Sequence, residues 1–105
     1  MAQIPEPDEY GLRFLLEYGL ARAYTDQEKY TEARGHIMAA LQSPVRPREI
    51  LPWAYVQLAI IAQKTKDEST FKSAIDAVMA AEAKAGRRTG AADRVHTLKR
   101  TGFSQ

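Results

Sequence analysis

Glu28, Glu32 and His36 recur at i, i+4 and i+8, a spacing that places three ionisable side chains on one helix face, where a metal could meet them. Dinuclear carboxylate sites, however, need Glu-x-x-His pairs on facing helices, and helical zinc sites need two histidines one turn apart. Neither pattern occurs, and the second histidine, His96, lies far along the chain. The row therefore reads as a charged, solvent-facing stripe. Ser43, Ser69, Ser73 and Ser104 have no neighbouring histidine with an orienting carboxylate, so no nucleophilic triad is legible. GRRTG, residues 86–90, lacks the lysine placement and preceding strand of a phosphate loop. The expectation is a noncatalytic chain with no cofactor and no metal.

Charge is divided along the chain. Residues 1–83 hold nine Lys or Arg against twelve Asp or Glu, whereas residues 84–105 hold six, Lys84, Arg87, Arg88, Arg94, Lys99 and Arg100, against Asp93 alone. A basic end segment suits an acidic protein, nucleic acid or an anionic surface. Of these residues Arg87, Arg88, Arg94, Lys99 and Arg100 are the candidates for anion or nucleic-acid contact, although on a helix Arg87, Arg94 and Lys99 do not form one clean stripe.

At 105 residues and 11.8 kDa the chain is sized for a single domain, 1–105. Much of its 45% hydrophobic content is alanine, which removes little apolar area from water, so the core is modest and a face can be left for a partner. The absence of cysteine excludes disulfides and thiol chemistry and fits a reducing, cytoplasmic setting. MAQIPEPDEY has neither the basic start nor the apolar run of a secretory signal, and no segment reaches the length of a membrane span.

Spacing of apolar residues supplies the elements. Leu16, Leu20, Ala21 and Tyr24 step along one side of a first helix, about Glu9 to Tyr24, which Asp8 would cap. Tyr30, Ala33, Ile37, Ala40 and Leu41 do the same in a second, about Glu28 to Gln42, with Thr25 or Asp26 near its cap. A short polar break leaves these helices no choice but to fold back antiparallel, and Gly19, Ala21, Ala23, Ala33 and Ala40 allow close approach. Pro44 and Pro47 end the second helix near Ser43, and Pro52 suits the first turn of a third. Phe71, Ala74 or Ile75, Val78 and Ala81 or Glu82 mark a fourth helix, released at Gly86. A fifth would be capped by Thr89 and face inward through Ala92, Val95 and Leu98 or Lys99. Trp53 would fill the space left by the proline-rich link.

LARAYTDQEKYTEARGHIMAAL from Leu20 aligns with IAQKTKDESTFKSAIDAVMAAE from Ile61 at a constant shift of 41 residues, pairing Tyr30 with Phe71, Ala33 with Ala74, Ile37 with Val78 and Ala40 with Ala81. Repetition at such a period implies stacked hairpins. Over residues 14–86 the pattern resembles the tetratricopeptide repeat through Leu20, Ala21, Tyr24, Tyr30, Ala33, Ile37 and Ala40, and again through Leu58, Ile61, Ala62, Phe71, Ala74, Val78 and Ala81. Glu17, Thr65 and Gly86 depart from it, and the shift exceeds the family's 34-residue period by seven, the excess falling in the proline-rich link. The expected fold is all-α: two stacked antiparallel helical hairpins, about 10–43 and 52–86, with a fifth helix in the basic segment 87–105.

The resemblance implies a concave face lined by the first helix of each hairpin: Leu15, Tyr18, Arg22 and Thr25, then Val56, Ala59, Gln63 and Lys66. It implies a protein-interaction module, an adaptor, co-chaperone or assembly subunit holding a peptide or helix there. Tyr18 and Gln63 do not reproduce the family's carboxylate-gripping variant. Two further readings are self-association through the open ends of the repeats and nucleic-acid binding by the basic segment.

Overall fold

The computed structural model describes residues 11–86 and 90–101 and is all-helical there. It contains α1 (Leu12–Asp26), α2 (Tyr30–Leu41), α3 (Leu51–Lys64), α4 (Glu68–Ala85) and α5 (Ala91–Thr101). Within these residues, no helix is long and apolar enough to cross a membrane. Asp8, Glu9, Arg87, Arg88, Thr89 and Ser104 lie outside the described residues, and with them the expected caps of the first and fifth helices.

α1 pairs with α2 and α3 with α4, giving two hairpins. α3 also packs against α1 and α2, and α5 packs against α3 and α4 in the same manner. One core runs through all five helices: Phe14 and Ala21, then Ala33, Ile37 and Ala40, then Ala54, Ile61 and Ala62, then Phe71, Ala74 and Val78, and finally Ala91, Val95 and Leu98. α5 thus turns Ala91 inward at i, i+4 and i+7 with Val95 and Leu98, where the sequence suggested Ala92. The large members each stabilise the fold by roughly 1.5–3 kcal/mol on burial, while the alanines let the helix axes close up. Trp53 lies against the start of α5, since a Cβ on Gly90 would come 3.3 Å from its ring.

The turn between α1 and α2 corrects two expectations. Thr25 and Asp26 remain inside α1, and α2 begins at Tyr30 with Lys29 at its cap position and no capping side chain. Between them Glu28 takes left-handed backbone geometry, φ 62°. Lys66 does the same between α3 and α4, φ 60°. The backbone bonds also match: Lys29 N–H donates to the Tyr24 carbonyl at 2.9 Å and Asp67 N–H to that of Ala62 at 2.8 Å, while Ala33 to Lys29 and Phe71 to Asp67 are both 3.0 Å. Every pair is separated by 38 residues. The backbone period is therefore 38, and the 41-residue likeness of side chains is offset from it by about one helical turn.

The link between hairpins returns over the start of α1. Leu51 N–H donates to the Pro47 carbonyl at 2.8 Å, opening α3, and the Pro47 ring sits on Gly11, whose φ of 69° begins α1. A second tie joins the hairpins directly: Arg34 of α2 reaches Asp67 Oδ2 at 2.9 Å and Thr70 Oγ1 at 3.1 Å. Asp67 is also the cap of α4, accepting from Thr70 N–H at 3.2 Å and Thr70 Oγ1 at 2.7 Å. The Thr70 hydroxyl and the Arg34 guanidinium hold its carboxyl below the ordinary carboxylate range. A depressed folded-state pKa contributes stability that is present above the ordinary carboxylate pKa and lost as pH falls through the depressed value. Thermal melts should therefore show Asp67→Ala less stable than the parent at pH 7, with the gap closing below pH about 4.

Candidate functional site

A groove of about 500 Å³ opens where the C-terminal half of α1, the outer side of α3 and the first turn of α5 converge. It exists because α1, α3 and α5 occupy equivalent places in the stack, so that the helices which begin successive packing units lie side by side. α1 contributes Arg22, Thr25 and Asp26, α3 contributes Gln57, Ile60 and Lys64, and α5 contributes Arg94. Glu28 and Tyr30 close the end at the first turn.

The floor is polar and ordered. The Thr25 hydroxyl donates to the Ala21 carbonyl at 2.7 Å, and Gln57 Nε2 donates to Thr25 Oγ1 at 2.8 Å, joining α1 to α3. Gln57 is only 8% exposed, and its Oε1 accepts no bond from the described residues. A buried carboxamide with an unused acceptor matches the donor of a peptide group. Ile60 supplies an apolar wall. Arg22, Lys64 and Arg94 stand on three different helices, and none has a carboxylate partner among the described residues. Asp26 and Glu28 lie towards the turn, so the groove carries both signs of charge.

Arg22 also lies over the Tyr18 ring, 5.7 Å from its centroid, and Tyr18 stacks on buried Phe14 at 6.2 Å. Burial pushes the Tyr18 phenol up, while the charge and hydrogen bond of Arg22 oppose the rise. Tyr18 is thus a half-buried support beneath Arg22.

Of the lining residues expected from sequence, Arg22 and Thr25 face the groove. Val56 and Ala59 do not, because they are buried at 2% and 0% exposure in the core. Leu15 is exposed on α1 outside the lining, Gln63 is half-buried away from it, and Lys66 is the exposed left-handed residue of the second turn. The period accounts for part of this: at 38 residues Arg22 corresponds to Ile60 and Asp26 to Lys64, both in the groove, whereas at 41 Arg22 corresponds to Gln63, which is not. Gln57 joins them because it stands three residues before Ile60 on the same side of α3. Gln57 carries a signal in the sequence, as a polar residue amid an apolar run, whereas Arg94 reads there as part of the basic tail. Lys99 and Arg100 are exposed near the end of α5, away from the groove. The Glu28, Glu32 and His36 row is divided. Glu28 sits in the turn, whereas His36 Nδ1 pairs with Glu17 Oε1 at 2.6 Å and its ring stacks on Tyr24 at 5.3 Å.

No family model matches the chain, and searches of curated proteins and of solved structures return no match.

Proposed function

We propose that this chain is a noncatalytic protein-interaction module that holds an extended peptide or a helix of a partner in the groove between α1, α3 and α5. The observation that carries the reading is the buried Gln57 carboxamide in a polar floor, flanked by Ile60 and by three cations without carboxylate partners among the described residues. Such a surface offers main-chain hydrogen bonding, one apolar contact and charge selection, the elements of peptide recognition, and needs no moving part. An adaptor, co-chaperone or assembly subunit in the cytoplasm is the role this suits. The tetratricopeptide resemblance supports it, since the 38-residue backbone period stands four residues from the family's 34 rather than seven.

Random peptides selected on the full chain and measured by fluorescence anisotropy test the reading. Arg22→Glu combined with Lys64→Glu should weaken the selected peptides at least about tenfold, the loss of two charge-assisted contacts, while leaving the helical circular dichroism unchanged. Peptides that bind the double variant as well as the parent would refute it. Nucleic acid is the competing ligand for the same cations, and binding whose logarithm falls linearly and steeply with that of salt concentration would favour it.

A further inference from the structure

The side of α1 turned away from the core carries Leu12, Leu16, Gly19 and Ala23, all exposed, the leucines at 64% and 62%. Their spacing of 4, 3 and 4 residues is that of a coiled-coil seam, and no charge interrupts it. Nothing in the fold asks for Gly19: a Cβ there would meet no atom within 4 Å, and a mid-helix glycine is unfavourable. The order of sizes is informative. Two large residues occupy the first half of the stripe and two small ones the second, so the stripe complements its own reverse. In an antiparallel pair Leu16 lies opposite Gly19 of the other copy and Leu12 opposite Ala23, each large side chain over a small one. A parallel pair would set Leu16 on Leu16 and Gly19 on Gly19, leaving a gap.

We propose that this seam is a self-association surface, two copies of the chain meeting through α1 about a two-fold axis between Glu17 and Tyr18, with the bare backbone at Gly19 receiving Leu16 of the partner copy. The seam lies beside the groove, not in it, so a dimer presents two grooves to a bivalent partner. A single helix pair of this length falls at the small end of specific interfaces, so the dimer is weak, dissociating in the micromolar range or above.

Sedimentation equilibrium of the full chain from about 10 to 500 µM, a range chosen for an interface of this size, tests the proposal. The parent should move from 11.8 kDa towards twice that mass. Leu16→Lys should raise the dissociation constant at least tenfold. Gly19→Ala should separate two effects, raising the melting temperature at low concentration while weakening association several-fold. Because the chain has no cysteine, orientation can be read directly: copies carrying L16C mixed with copies carrying G19C should oxidise to the mixed disulfide faster than either forms its own. A monomer at every concentration, a dimer indifferent to Leu16→Lys, or L16C copies cross-linking to one another as readily as to G19C would overturn the proposal.

Discussion

Phe14→Ala should lower stability by about 3–5 kcal/mol, among the largest effects available to a single substitution in this chain. Phe14 is wholly buried, packs in the common core and carries the Tyr18 ring that supports Arg22. Removing it takes away a large apolar surface and leaves a cavity that neighbouring helices can only partly close. A domain of this size has roughly 5–15 kcal/mol in total, so the melting temperature should fall by roughly 15–25 °C. Leu16→Ala, two residues along the same helix but 62% exposed, should change it by no more than about 0.5 kcal/mol in dilute solution. Thermal unfolding followed by circular dichroism compares the two. Equal losses would mean that the inner and outer faces of α1 have been exchanged.

Gly11→Val should cost roughly 2–4 kcal/mol through a different mechanism. The position has φ 69°, which a β-branched side chain resists, and its Cβ would stand 2.9 Å from two ring carbons of Pro47. The proline ring cannot swing aside, and its carbonyl is committed to opening α3. Displacing it disturbs the joint between hairpins as well as the start of α1. Gly86 provides the comparison, with φ 75° but no atom within 4 Å of where a Cβ would stand. Gly86→Ala should therefore show only the conformational part, about 1–2 kcal/mol. Urea denaturation gives both values, and near-equality would show that the contact of Pro47 with Gly11 contributes nothing.

Much of the architecture is written in apolar spacing. Ala33, Ile37 and Ala40, and again Phe71, Ala74 and Val78, are both the periodic residues of the sequence and the buried residues of the fold. Register between the copies is harder to read, for a physical reason. A slip of three residues is close to one helical turn of 3.6, so the same apolar stripes align at 41 and at 38. The backbone of the tight turns decides between them, and its left-handed positions are Glu28 and Lys66 rather than the glycines that normally announce such geometry. That ambiguity passes directly into the site. At 41 Arg22 is matched with Gln63, half-buried outside the groove, whereas at 38 it is matched with Ile60 of the groove wall. Arg94 is legible as a cation, but its place in the same groove as Arg22 follows from how α5 packs on α3, which no local spacing states. Capping shows the same limit: Asp67 caps α4 whereas Asp26, aligned with it in sequence, stays inside α1.

The groove between α1, α3 and α5 is most directly tested by the ¹H–¹⁵N spectrum of the full chain during titration with a peptide selected on it. Binding there should shift the side-chain amide of Gln57 and the backbone amides of Arg22, Ile60 and Arg94 together, at one common affinity, and leave Leu12, Leu16 and Gly19 unmoved. Shifts that spare Gln57 and Ile60 and gather on another face would contradict the assignment of the groove as the partner site.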